Sequence, residues 1–151
     1  MIRRATPEDI PAIAALFERS FGTLTFLPML HTREQHEAFF GGLLETQEVW
    51  AYEAGGALQG FTAISPDMLD HLYVDPEAFG TGVAGALFEH AQSRRPEGFT
   101  FWVFQENARA RRFYERHGCV AIEFTDGARN EEKAPDVLYE WRPETRPVRT
   151  P

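Results

Sequence analysis

The chain has 151 residues, 43% of them hydrophobic and 25% charged, with thirteen Phe, three Trp and four Tyr; this is the length of one domain with enough apolar mass for a core, which excludes wholesale disorder. A net charge of −8 repels phosphate backbones, so no nucleic-acid partner is expected and a cationic ligand is easier to accommodate. The single cysteine, Cys119, excludes an internal disulfide and a zinc site of its own, no run reaches the roughly 18–20 apolar residues that span a bilayer, and the N-terminus has no secretory pattern; the expectations are no metal, no membrane and a cytoplasmic location.

Ile2 to Ala5 reads as a first strand. Thr6-Pro7-Glu8-Asp9 is a helix start, and Ile10, Ile13, Ala14, Phe17 and Phe21 follow at helical spacing to Gly22. Leu24 to Leu30 is aperiodic and reads as a loop. Thr32-Arg33-Glu34-Gln35 has the form of a capping box ahead of Phe39, Phe40, Leu43 and Leu44, although Gly41-Gly42 weakens that helix. Val49 to Glu53 and Leu58 to Ser65 are two strands about Ala54-Gly55-Gly56, and Met68 to Val74 is a third. A glycine turn then opens a helix with Val83, Ala84, Leu87, Phe88 and Ala91 on one face. Phe99 to Phe104, apolar except Thr100, predicts a buried strand. Asn107 caps a helix whose inner face is Ala110, Phe113, Tyr114 and His117, ended by Gly118. Val120 to Thr125 and Val137 to Trp141 are the last strands, separated by a charged loop from Asp126 to Asp136. The order predicts a mixed α/β domain on one central sheet over residues 1–142, with 143–151 as a loose tail.

Gly80-Thr81-Gly82-Val83-Ala84-Gly85 lies between a strand and a helix. Free amides at a helix start carry partial positive charge, and glycines let an anion approach them, so a phosphate or pyrophosphate is one reading; a plain tight turn is the other. The letters also spell G-x-G-x-x-G, with Glu106 downstream. Four strand segments precede the turn and one helix follows Glu106, so a dinucleotide domain does not fit; there is no Gly-Lys-Ser/Thr, so neither does a P-loop.

Leu72-Tyr73-Val74-Asp75-Pro76-Glu77-Ala78-Phe79-Gly80-Thr81-Gly82-Val83-Ala84 resembles motif A of the GNAT acetyltransferases, and Asn107 to Gly118 resembles their motif B. The resemblance spans roughly residues 1 to 142. It implies the GNAT fold, a mostly antiparallel mixed sheet flanked by about four helices, and an acetyl-coenzyme A-dependent N-acetyltransferase acting on a primary amine by direct attack in a ternary complex. The family's turn usually opens with Gln or Arg where this chain has Phe79. By resemblance, Gly80, Thr81, Gly82, Val83, Ala84 and Gly85 hold the pyrophosphate, and Leu72, Tyr73, Val74 and Asn107 hold the pantetheine arm.

The resemblance also makes Tyr114 the general acid for the departing thiolate; an apolar ring in the core is its bland alternative. Met68, Asp70 and Leu72 are expected on one face of their strand. Some members carry histidines at the positions of Met68 and Asp70, so Asp70 is the candidate base through a water, with substrate binding as its alternative. His71 is expected on the opposite face as a packed residue. Members that use a Glu on the next strand have it where this chain has Trp102. His31, Trp50 and Tyr52 are minor candidates for the acceptor pocket. Cys119 is expected to pack, against a covalent acetyl-cysteine. Arg109, Arg111, Arg112 and Arg116 are expected on a solvated face, one of them in reach of the coenzyme's 3′-phosphate. The Leu27 to His31 loop and the acids Asp126, Glu131, Glu132 and Asp136 are placed near the acceptor. A small-molecule or peptide amine, cationic in character, is the expected partner, with a homodimer as an option. A coenzyme A sensor and a protein N-terminal acetyltransferase are the alternatives.

Overall fold

A computed structural model describes residues 1–143; the tail expected from Pro143 on lies, but for Pro143 itself, outside the described residues. In chain order the elements are β1 (Ile2–Arg4), a 3-10 turn (Pro7–Asp9), α1 (Ile10–Phe21), α2 (Arg33–Thr46), β2 (Glu48–Ala54), β3 (Ala57–Ile64) and β4 (Leu69–Val74). A second 3-10 turn (Pro76–Ala78), α3 (Val83–Arg94), β5 (Phe99–Phe104), α4 (Ala108–Arg116), β6 (Val120–Phe124) and β7 (Asp136–Trp141) follow. No helix among the described residues is long and apolar enough to cross a membrane.

Local chemistry sets the boundaries. The Arg3 guanidinium holds both Asp9 oxygens at 2.8 Å, and the same carboxylate accepts from the Thr6 amide, which locks the entry to α1. Thr32 and Gln35 complete the capping box of α2. That helix runs unbroken through Gly41 and Gly42 because Phe40, 3% exposed, anchors it on Phe61; tertiary packing overrides the weak propensity of two glycines.

The single sheet expected from the sequence is split in two. One sheet has the order β1-β2-β3-β4, and the other β5-β7-β6. All named strand pairs are antiparallel. The sheets touch through a parallel bridge between Met68 and Thr100, backed by the Thr100 amide donating to Asp67 O at 3.2 Å. Met68 therefore belongs to this junction and not to β4.

α1 and α2 cover one face of the first sheet, where Ile13, Leu16 and Phe40 meet Ala51, Phe61 and Ala63. α3 covers the opposite face. A Cβ on Gly60 would stand 2.8 Å from Leu87 Cδ1 and 3.0 Å from Val83 Cγ1, so the absence of a side chain there lets α3 sit directly on β3. Phe88, fully buried, joins the layers: its ring lies 5.4–6.2 Å from those of Phe99, Phe101, Phe113, Tyr114 and His117. Truncating such a residue to Ala costs about 3–5 kcal/mol. β5 is buried on one face alone. Phe99, Phe101 and Val103 enter this core, whereas Trp102 points away and is 44% exposed; α3 and α4 pack on the same side of its sheet, so a strand apolar but for Thr100 alternates in burial.

Candidate active site

Between β4, the start of α3 and α4 lies a cleft of about 730 Å³. Its floor is the glycine turn. Gly80 and Gly82 have φ of 78° and 93°, the left-handed region that favours glycine, and a Cβ on either would stand in open space. The first bond of α3 runs from Ala86 N to Gly82 O at 3.0 Å, so the amides of Val83, Ala84 and Gly85 have no intrahelical acceptor. Leu72, Tyr73, Val74, Gly80, Gly82, Ala84, Gly85 and Asn107 all line the cleft. Thr81 and Val83 do not. Both the amide and the hydroxyl of Thr81 are used on Ala78 O, closing the turn. The Val83 side chain is buried against Leu87 and Val74.

One wall is the outer edge of β4, which pairs only with β3 along Leu69–Val74. A strand edge of this kind offers amide donors and acceptors to an extended ligand. The opposite wall is α4. Asn107 accepts from the Ala110 amide at 3.2 Å as its cap and also faces the cleft. Among the described residues the lining holds Arg109, Arg116 and His117 and no Asp or Glu, inside a chain of net charge −8.

Tyr114 stands where β5, α3 and α4 meet. Its ring packs 4.4 Å from that of Phe101, and the residue is 8% exposed yet lines the cleft. Among the described residues no partner holds its hydroxyl. Burial, with lesser contributions from Cys119 and Tyr73, raises its pKa well above the usual phenol value, so it stays protonated at neutral pH. Cys119 is buried and its thiol is pushed up to about 12 by burial. It is a packing residue with almost no thiolate at neutral pH.

The acceptor-side candidates fall differently. The β3–β4 register pairs Ile64 with Leu69 but Ala63 with His71. Asp70 is therefore the extra residue of a bulge. This corrects the expected alternation: Leu69 and Leu72 pack on the same core, and Asp70 has no partner in the ladder. Asp70 is half-buried and does not line the cleft, and its Oδ2 is buried without a hydrogen-bond partner. His71 packs edge-on to Phe39 and Phe40. Burial, partly opposed by Asp70, lowers it to about 4, which keeps it neutral.

The Leu27 to His31 loop and the β6–β7 hairpin meet: His31 Nε2 lies 2.7 Å from Glu131 Oε2. Burial, with a lesser contribution from the Glu132 charge, raises the Tyr73 hydroxyl's pKa. The four hairpin acids do not act together. Asp136 is 9% exposed and accepts from Thr125 and Asn130, and Asp126 accepts from the Ala128 amide; both shape the loop. Lys133 takes a left-handed φ of 56°, and its Nζ donates to Ala128 O at 2.8 Å. Arg111 is bound to the Tyr139 hydroxyl at 3.0 Å, so it is not on a free solvated face. Trp50 is held between Arg4 and Arg94, and neither it nor Tyr52 lines the cleft.

This architecture suits a ligand that is anionic at one end and peptide-like along its length: phosphates over the glycine floor, an amide-bearing arm along β4, and a reactive end at Tyr114. The residues present fit coenzyme A. A model of the acetyltransferase (GNAT) domain matches residues 45–119. The peptidyl-lysine N-acetyltransferase YjaB of Escherichia coli is 30% identical over 118 residues, covering 78% of this chain and 80% of that protein. The peptidyl-lysine N-acetyltransferase YiaC of Escherichia coli is 28% identical over 93% of this chain and 96% of that protein. The solution structure of apo YjaB superposes with a TM-score of 0.76 at 27% identity, over 93% of this chain and 95% of that one. The chain belongs to the GNAT acetyltransferase family. It is an N-acetyltransferase that uses acetyl-coenzyme A and an amine acceptor.

Proposed function

We propose that the chain acetylates lysine side chains presented on peptides or proteins, with Tyr114 as proton donor and the cleft between β4 and α4 as the coenzyme site. The observation that carries the reading is the position of Tyr114, a protonated phenol at the junction of the core and the acid-free cleft. The names of YiaC and YjaB support the acceptor class.

Bound acetyl-coenzyme A supplies an acetyl group activated as a thioester. The glycine turn, with the amides of Val83 to Gly85, neutralises phosphate charge, and the edge of β4 aligns the arm so that an amide near Leu72 polarises the thioester carbonyl. The acceptor amine attacks directly: the C–N bond forms, the C–S bond breaks, and Tyr114 gives its proton to the leaving sulfur. Asp70 takes the amine's proton through a water. Asp70 stands outside the cleft lining and its Oδ2 is shut off from solvent, so the water relay has to reach the other carboxylate oxygen. Glu131 and Glu132, on the hairpin that meets the His31 loop, favour a cationic peptide.

The test is acetyl transfer to a peptide panel with a lysine, a free α-amine or neither, alongside small amines, read by mass spectrometry. Lysine peptides are expected as the best acceptors. Turnover confined to α-amines or to non-peptide amines overturns the proposed acceptor.

A further inference from the structure

The glycine turn opens on an apolar side chain, Phe79, and a cation stands over its ring. We infer that Arg109 is the cation that binds a coenzyme phosphate at this turn, and that Phe79 is the residue that positions it. The inference rests on the reading of this cleft as the coenzyme site.

Arg109 comes from the first turn of α4, yet its guanidinium carbon lies 4.3 Å from the centre of the Phe79 ring. Phe79 immediately precedes Gly80, so the contact holds the charge beside the open glycine floor. A long arginine side chain has much rotamer freedom to lose. A ring beneath the guanidinium removes part of that cost in advance and leaves the N–H donors for a ligand, because the π-face attracts charge without consuming five donors.

The other arginines of α4 are disposed differently. Arg111 donates to Tyr139 and lies 3.9 Å from Glu115. Arg112 is exposed and outside the lining. Arg116 lines the cleft seven residues on, roughly 10 Å further along the helix. Among the described residues no carboxylate pairs with Arg109. An unpaired guanidinium, pre-oriented at an acid-free cleft in an acidic protein, is arranged for an anion.

Calorimetric titration with coenzyme A tests this without turnover. Wild type, Arg109→Gln, Arg112→Gln, Phe79→Leu and the double variant Phe79→Arg/Arg109→Gln are compared at two salt concentrations. Arg109→Gln is expected to weaken binding roughly 10- to 100-fold and to flatten its salt dependence, as loss of a charge-assisted phosphate contact does. Phe79→Leu, which keeps an apolar side chain, is expected to weaken it about 2- to 5-fold. Arg112→Gln is expected to bind as wild type, and the double variant to regain most of the loss. Repeating the titration with 3′-dephospho-coenzyme A locates the contact: a loss of the same size assigns Arg109 to the pyrophosphate, and a loss that disappears assigns it to the 3′-phosphate. If Arg109→Gln binds coenzyme A as tightly as a binding-competent wild type, the inference fails and the cleft assignment stands. If wild type itself does not bind, the cleft assignment fails with it.

Discussion

The coenzyme side and the acceptor side of this molecule are built by different means. On the proposed coenzyme side most of the working groups are backbone, with the Arg109 side chain added to them: the floor at Gly80 and Gly82, the amides opening α3, and the edge of β4. Secondary structure fixes them, and Gly60 lets α3 seat closely enough to hold them in place. On the proposed acceptor side the groups are side chains on two loops joined by His31 and Glu131, a hundred residues apart in the chain. A binding surface made of backbone tolerates change in almost every side chain around it. One made of loop side chains is redefined by a single substitution, which suits a shared donor and varied acceptors.

The comparison predicts where substitutions bite. The largest effect is expected at the meeting point of the two sides. Tyr114→Phe should lower kcat about 100- to 10,000-fold while leaving the Kd for coenzyme A nearly unchanged, because the hydroxyl matters where sulfur gains charge and the ring matters for packing. An unaltered kcat removes Tyr114 from the chemistry. Next is the backbone floor. Gly82→Val forces a β-branched side chain into a φ of 93° and into the open cleft, so coenzyme binding should weaken at least about 10-fold, with ~1–2 kcal/mol lost from stability. Binding that survives this change would break the claim that backbone does the work.

On the acceptor side, Glu131→Gln/Glu132→Gln should raise KM for a cationic lysine peptide about 2- to 5-fold and reduce its salt sensitivity, the scale of exposed charges. The KM for acetyl-coenzyme A should not move; if it does, the two sides are not separable. The smallest effect concerns the anchor of α3. Glu48, bonded to Arg94 at 2.8 Å and to Arg95 at 3.1 Å, is lowered from 4.5 to about 2, chiefly by Arg94. A depressed carboxylate pKa adds stability that is present above pH 4.5 and is lost as pH falls through about 2. Allowing for solvent around Arg94, this is ~1 kcal/mol, or about 2–4 °C in Tm. Wild type and Glu48→Gln should therefore differ in Tm at neutral pH and converge on acidification.

The same division explains what the sequence disclosed. The helices, the capping box at Thr32, the turn from Gly80 to Gly85 and the placement of Tyr114 on α4 are local patterns, and residue spacing carries them. The bulge at Asp70 is not local: period-2 reading put Asp70 beside Leu72, and only the pairing with β3 shows the extra residue. Nor did the run of β5, apolar but for Thr100, disclose that Trp102 faces outward, since which face is covered depends on where α3 and α4 land. The hairpin acids looked alike in sequence, yet Asp136 turns inward and Glu131 reaches another loop. Phe79 reads as a defect of the motif until Arg109 arrives from thirty residues downstream.

The hairpin has one more consequence, for labelling. Lys133 is the chain's one lysine; the other fourteen basic residues of the Lys and Arg total are arginines. Besides the α-amino group of Met1, its Nζ is the sole primary amine, held by Ala128 O in a left-handed turn of the backbone. An amine-reactive dye applied after the α-amine is blocked lands on a single atom, in the hairpin that meets the His31 loop. The molecule thus carries a built-in attachment point for a reporter, on the segment proposed to meet a docking peptide.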